Sequence, residues 1–258
     1  MKRTAKPAIT ALLVASLIVA CNSEEKKAEP SNTDTTAATA TVDTTKAKAE
    51  DFDAVKIAPG LYTVAKDTMG IRVLNIVYKP GDSSAMHTHP DNALYVIDGG
   101  KTEFTAPDGS KQVVEFKSGF ASIGGAEKHA VKNVGKNTVR AILVETTRPN
   151  KPGSFDESLD ATKVASKYYK LVKDSLNMRI ITVDYKPGEV SALHAHPDLV
   201  MYSISPAKAE FTAKDGTKRE MTLDKGMLAV VPADIHSVKN IGNTHAKVVL
   251  VEVNRPQQ

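Results

Sequence analysis

Six of the chain's seven histidines fall into two matched triplets: His87, His89 and His129, then His194, His196 and His236. Side chains two apart on an extended strand point the same way, so each His-x-His pair presents two imidazoles on one face. The third imidazole, about 40 residues later in each triplet, can close the site from a neighbouring strand. Three neutral nitrogens suit Fe, Zn, Mn, Ni or Cu and leave coordination positions open for an exchangeable ligand. Any single histidine is more often a core or surface residue than a ligand, but a triplet repeated at one spacing reverses that balance. Such a site would lose its ion as pH falls through roughly 6.5, where free imidazoles protonate. His245, whose counterpart is Thr138, reads as a surface residue.

What must position these triplets is a module present twice. Sliding the chain by 107 positions aligns Asp53–Pro149 with Asp160–Pro256 without a gap, and about two in five of the 97 pairs are identical. YKPGDSSAMHTHPDNALYVI stands over YKPGEVSALHAHPDLVMYSI, and HAVKNVG over HSVKNIG. Residues 51–149 and 160–258 are therefore two copies of one unit, and 150–159, with Pro152 and Gly153, links them.

Within a copy, short apolar runs are broken every 8–12 residues or so by Gly, Pro and Asp, the spacing of an all-β sandwich or barrel. Asp108-Gly109 and Asp215-Gly216 read as tight hairpin turns. Gly70 aligns with Asn177, two residue types that tolerate positive φ, which predicts a left-handed turn position there. Residues 160–174 could pass for a helix, but Pro59-Gly60 in the matching segment argues against it. By parity, Arg72, Leu74, Ile76 and Tyr78 share one strand face, as do Arg179, Ile181, Val183 and Tyr185; these faces should point inward. Arg72 and Arg179 are then expected to line the pocket at an inner face near one barrel end, where each must find an anion or a carboxylate, most simply in a structural ion pair.

The chain opens with Lys2, Arg3 and Lys6 and an apolar run from Ala8 to Ala20. That run is too short to span a bilayer core and has the export pattern of a signal peptide, 1–20. Ile18-Val19-Ala20-Cys21 resembles the lipobox of bacterial lipoproteins, which implies that Cys21 becomes the diacylated first residue. By the same resemblance, Asn22 beside it, in place of the aspartate that commonly retains lipoproteins in an inner membrane, favours the outer membrane within the cell envelope. Cys21 is the single cysteine, so no disulfide can form within the chain. Residues 21–50, rich in Ala, Thr, Lys and Glu, bury too little apolar surface to order and read as a flexible, disordered tether. Without residues 1–20 the chain loses three positive charges, and its net charge falls from +4 to +1. With no basic run left in the body and no Trp, no nucleic-acid partner is expected.

Gly81-x5-His87-x-His89 and Gly188-x5-His194-x-His196 resemble the first motif of the cupin family. Gly226-x5-Pro232 with His236-x3-Asn240 resembles the second, and Gly119 with His129-x3-Asn133 is its less complete counterpart. The resemblance covers both copies and implies a bicupin: two tandem antiparallel jelly-roll barrels, whose halves often share an edge strand or an apolar face. It is weak for function, because cupins include dioxygenases, isomerases, oxalate-degrading enzymes, epimerases, storage proteins and ligand-sensing domains. The glutamate most metal-binding cupins supply after the second histidine is missing, its places taken by Ala93 and Leu94, and by Val200 and Met201. The three-histidine version of the site occurs, by resemblance, in cupin dioxygenases that bind ferrous iron. Asp91 and Asp198, two residues past the second histidine, stand as a fourth ligand, an outer partner or, with a proline before each, a turn former. Tyr95 and Tyr202 share parity with the missing glutamate's place and are expected to line the pocket. The sequence thus points to a metal-binding lipoprotein. Two uses are open to it: a metal-dependent oxygenase acting on a small polar molecule, or a non-catalytic module that binds a small molecule or metal. Besides the small-molecule ligand, its partners are the membrane, through Cys21, and, in a homo-oligomer, further copies of itself.

Overall fold

The computed structural model describes residues 51–147 and 155–253. The proposed signal peptide, the tether with Cys21 and the first half of the linker lie outside the described residues. Each copy begins with a single helical turn, α1 (Ala54–Ile57) and α2 (Ala161–Val164). Asp53 and Asp160 cap these turns, accepting from the backbone N–H of Val55 at 3.0 Å and of Thr162 at 2.9 Å, the usual way to satisfy the free donors of a helix start. Nine strands and the turns between them make up the rest of each copy. The first supplies β1 (Tyr62–Thr68), β2 (Ile71–Tyr78), β3 (His87–His89), β4 (Asn92–Asp98), β5 (Gly100–Thr105), β6 (Lys111–Phe116), β7 (Ala121–Gly124), β8 (Glu127–Asn133) and β9 (Val139–Thr146). The second supplies β10 (Tyr169–Ser175), β11 (Met178–Tyr185), β12 (His194–His196), β13 (Leu199–Ser203), β14 (Ala207–Ala213), β15 (Lys218–Leu223), β16 (Leu228–Val231), β17 (Asp234–Asn240) and β18 (Ala246–Glu252).

Every strand pair is antiparallel, and each barrel is built from two facing sheets, ordered β1-β2-β9-β4-β7 with β3-β8-β5-β6, and β10-β11-β18-β13-β16 with β12-β17-β14-β15. The fold is thus all-β, two tandem jelly-roll barrels. The duplication holds to fine detail, since β1 and β10 carry the same register irregularity, between Val64 and Lys66 and between Leu171 and Lys173.

The turns form where turn chemistry allows. Gly70 and Asn177 have φ of 75° and 58°, and Met69 and Leu176 before them are also positive at 56° and 49°. Two consecutive left-handed residues make a two-residue hairpin of the type whose twist suits antiparallel strands. The segment 160–174 is no long helix: a turn of helix ends at Val164, and β10 starts at Tyr169.

Ile76, Tyr78, Val183 and Tyr185 point into their own barrels, as parity predicted. The opposite face is buried too. Ile71, Val73, Ala93, Ile142 and Val144 of the first copy pack against Met178, Ile180, Val200, Val249 and Val251 of the second, all with almost no exposure. The two five-stranded sheets therefore lie back to back, and each is apolar on both faces, one side filling its own barrel and the other the seam between barrels.

Candidate metal centres

The short strand β3 pairs with β8 so that His87 stands directly opposite His129, and β12 with β17 does the same for His194 and His236. With His89 and His196 two residue pairs further along, each triplet converges: the candidate ligand nitrogens lie within 4.8 Å of one another in both copies. Ring centroids are 4.8–5.4 Å apart in the first barrel and 4.9–5.6 Å in the second. Aromatic walls hold the rings, Tyr62 and Phe104 in the first barrel and Tyr169 and Phe211 in the second.

The hydrogen bonds behind the rings decide which nitrogen is free. His87 and His194 donate Nδ1–H to the backbone carbonyls of Ala85 and Ala192, both at 2.8 Å. His89 and His196 donate Nδ1–H to Glu145 and Glu252, both at 2.7 Å. Asp234 takes His236 Nδ1 at 3.0 Å, while Glu127 lies 3.6 Å from His129 Nδ1. With Nδ1 committed in His87, His89, His194, His196 and His236, the lone pair of each of these five rings sits on Nε2. Nε2 of His87 and of His194 is fully buried and has no partner among the described residues. A buried imidazole nitrogen without a partner is costly, and a divalent ion on the three Nε2 atoms removes that cost; the donor set fits such an ion. Burial also depresses proton affinity, taking the pKa of His87 down to about 4 and that of His194 to about 3, so both are neutral and ready to ligate at ordinary pH.

Glu145 and Glu252 escaped sequence reasoning. Both are fully buried, and each joins a histidine to an arginine. Glu145 accepts from Arg72 Nε at 2.5 Å and Glu252 from Arg179 Nε at 2.8 Å. Arg72 and Arg179 then reach the helix-capping Asp53 and Asp160 at 2.6 and 2.7 Å. The arginines are therefore not pocket residues. They are links in a chain from the first helical turn to a metal-facing ring, which is the structural ion pair foreseen for them and something more. The available signal was an acid kept at the same place of both copies inside an otherwise apolar strand, AILVET and VVLVEV.

Asp91 and Asp198 lie outside the convergent groups. Their Oδ1 atoms accept the backbone N–H of Ala126 and Ala233 at 3.0 and 2.8 Å, pinning the loop before the third histidine. Turn chemistry after a proline places them, rather than ligation. Tyr95 and Tyr202 also depart from expectation: they face the seam between barrels, ring centroids 6.3 Å apart. Leu94 and Met201, one residue earlier, line the cavities, so the missing glutamate's place is the one further from the second histidine. His245 is exposed and pairs with Asp184 at 2.9 Å.

No family model matches the chain, and no curated protein resembles it in sequence. Among solved structures it is similar to oxalate decarboxylase of Bacillus subtilis, studied for its Mn(II) centres (TM-score 0.51, 18% identity, 73% of this chain and 70% of that one). Oxalate decarboxylase of Lactobacillus farciminis in a formate complex is comparable (TM-score 0.50, 15% identity, 72% and 77%). A cupin 2 conserved barrel domain protein from Leptotrichia buccalis overlaps at TM-score 0.47, 14% identity, 75% and 88%. At such identities the first two likenesses bear on the fold alone, two tandem jelly-roll barrels.

Proposed function

We propose that this double cupin barrel is a lipid-anchored protein of the cell envelope that holds a divalent metal ion on His87, His89 and His129, and another on His194, His196 and His236. In this reading it acts as a metal-dependent oxygenase on a small molecule with a polar head. The observation that carries the reading is the pair of buried, partnerless Nε2 atoms on His87 and His194, one in each barrel.

An ion held there, Fe, Zn, Mn, Ni or Cu, supplies Lewis-acid polarisation and, for the redox metals, one-electron chemistry to molecules in its open positions. The protein's own part is orientation and exclusion. Glu145 and Glu252 fix ring and tautomer from behind. Tyr62 and Tyr169 close the inner side, their hydroxyls bonded to those of Tyr78 and Tyr185 at 3.0 and 3.2 Å; burial raises the pKa of both Tyr62 and Tyr169 well above the usual phenol value, so they keep their protons. Leu94 and Met201 keep the cavity walls apolar where other cupins place a carboxylate. Among the described residues no Lys or Arg lines the first barrel's cavity, whereas Arg219 lines the second, so in the first barrel a small dianion such as the oxalate of the similar decarboxylases would find no cation except the ion. A molecule with an apolar body suits the walls better.

The deciding experiment is dioxygen uptake by the full chain, reloaded with each metal in turn, over a panel of small enediols, catechols and keto acids. Uptake that needs the histidines supports an oxygenase. Stoichiometric metal without turnover for any member of the panel supports the second reading, a binding module, which two intact triplets favour. The envelope placement rests on the basic start, the apolar run and Ile18-Val19-Ala20-Cys21. Membrane fractionation of Cys21→Ala tests it: the variant should leave the membrane fraction or stay unprocessed, and an unchanged distribution would refute the anchor.

A further inference from the structure

The two cavities share a plan but not a lining. The first encloses about 380 Å³ and the second about 110 Å³; the first is in the range of small-molecule sites and the second below it. The 107-residue offset shows why. Asn92, Thr102, Ser122 and Gly124 line the first cavity, and their counterparts Leu199, Ala209, Ala229 and Val231 line the second. Three polar side chains have become apolar, and a glycine has become valine. The Asn92 NH2 donates to the Pro90 carbonyl at 2.9 Å, and a Cβ at Gly124 would stand 4.0 Å from the Asn92 side-chain oxygen, so the absent side chain leaves room beside that oxygen.

Thr102 is the telling member. It is only 4% exposed, and its hydroxyl is buried with no hydrogen-bond partner among the described residues. Its cross-strand neighbour Asn133 makes no bond to it; that amide serves the carbonyls of Tyr78 and Asn137 and the N–H of Gly135. Nor does the fold require a hydroxyl there: the second barrel places Ala209 opposite Asn240 in the same register. Buried polar groups kept without a protein partner ask for an outside one. Thr102 lies two residues before Phe104, whose ring packs on His129 at 5.4 Å between centroids. One such step along a strand is roughly 7 Å, which sets the hydroxyl's distance down the cavity from the ring beside the metal-facing histidine.

We infer that the first barrel alone takes an organic ligand, one with an oxygen-chelating head for the ion, an apolar middle and a hydrogen-bonding group at the far end that meets the Thr102 hydroxyl. The second barrel holds its ion without such a ligand. This rests on the metal reading proposed above and adds which barrel binds, what class of molecule, and the residue that selects it.

The test uses the zinc-loaded full chain and a matched pair of probes, 4-(hydroxymethyl)benzohydroxamate and its 4-ethyl isostere, titrated calorimetrically with zinc counted in the same samples. One probe should bind per chain, persist in His194→Ala and vanish in His87→Ala. The hydroxyl-bearing probe should bind about tenfold tighter, the worth of one well-made hydrogen bond. Thr102→Ala should erase that preference without weakening the ethyl probe, and Thr102→Ser should restore it. Gly124→Val combined with Asn92→Leu, residues the second barrel already accommodates, should abolish binding of both probes. Two equivalent probe sites per zinc-loaded chain, or a preference unchanged in Thr102→Ala, overturns the inference and leaves the metal reading standing. A chain that takes up no zinc overturns the metal reading, and the inference with it.

Discussion

Replacing Glu252 by glutamine tests how far the second metal site is set from behind the ligands. Glu252 is fully buried, with one oxygen on His196 Nδ1–H at 2.7 Å and the other on Arg179 Nε–H at 2.8 Å. A glutamine has one oxygen for these two donors, and its NH₂ must face the other. If the oxygen stays with His196, Arg179 still has Asp160 at 2.7 Å. Its charge is then not stranded, so the stability cost is that of an unmet donor, about 1–3 kcal/mol, rather than the 3–5 kcal/mol of losing a sole partner. If the oxygen turns to Arg179, the NH₂ faces His196 and favours the tautomer with hydrogen on Nε2, which cannot ligate. Both arrangements weaken the site. Zinc affinity should fall 10–100-fold, about 1.4–2.7 kcal/mol, measured against a competing chelator in a His87→Ala background that silences the first barrel. Glu145→Gln in a His194→Ala background should lose as much affinity but less stability, because Arg72 is more exposed than Arg179 and keeps Asp53 at 2.6 Å. Affinity within threefold of the parent in a folded Glu252→Gln protein would refute the view that this carboxylate holds the ring for a metal.

Elemental analysis of the full chain should find about two divalent ions, with His87→Ala and His194→Ala each removing one; an unchanged count in either variant removes that barrel from the metal reading. The pKa of His87 falls to about 4 and that of His194 to about 3 in the folded, metal-free state, against about 6.5 unfolded. Between those values the unfolded chain binds more protons. Their contribution to stability is therefore whole above pH 6.5 and drains away as pH falls toward 4 and 3, on the order of 3 kcal/mol for His87 alone. Denaturant melts of metal-free protein from pH 7 to 4 should show that decline, removed in part by His87→Leu. These two ligands also resist protonation below the pH 6.5 expected of free imidazole. Asp91→Asn should leave metal affinity unchanged, since the amide oxygen can still accept Ala126 N–H; a tenfold loss would make Asp91 a ligand after all. Ile180→Ala, in the seam, should cost 2–5 kcal/mol and lower the unfolding midpoint of both barrels together, whereas two separate transitions with one unmoved would disprove a shared core.

Much was fixed by local chemistry and periodicity. The duplication, the strand spacing, the left-handed position at Gly70 and Asn177, and the two histidines of each His-x-His on one face all follow from near neighbours along the chain. The third histidine's place followed from repetition. What tertiary structure decided is of another kind. Parity divides a strand into two faces but cannot say which face meets its own barrel when both are apolar, and so Tyr95 and Tyr202 were assigned to a cavity when they belong to the seam. Nor does spacing disclose a contact such as His89 with Glu145, 56 residues apart, or the reach of Arg72 to both Glu145 and Asp53, because such pairs exist only once the sheets close. Asp91 shows the converse: its position beside a histidine suggested ligation, but a backbone N–H across the barrel claimed it. The unequal cavities were written in the aligned copies at Asn92, Thr102, Ser122 and Gly124, yet they became legible only when folding showed those four side chains lining one hollow.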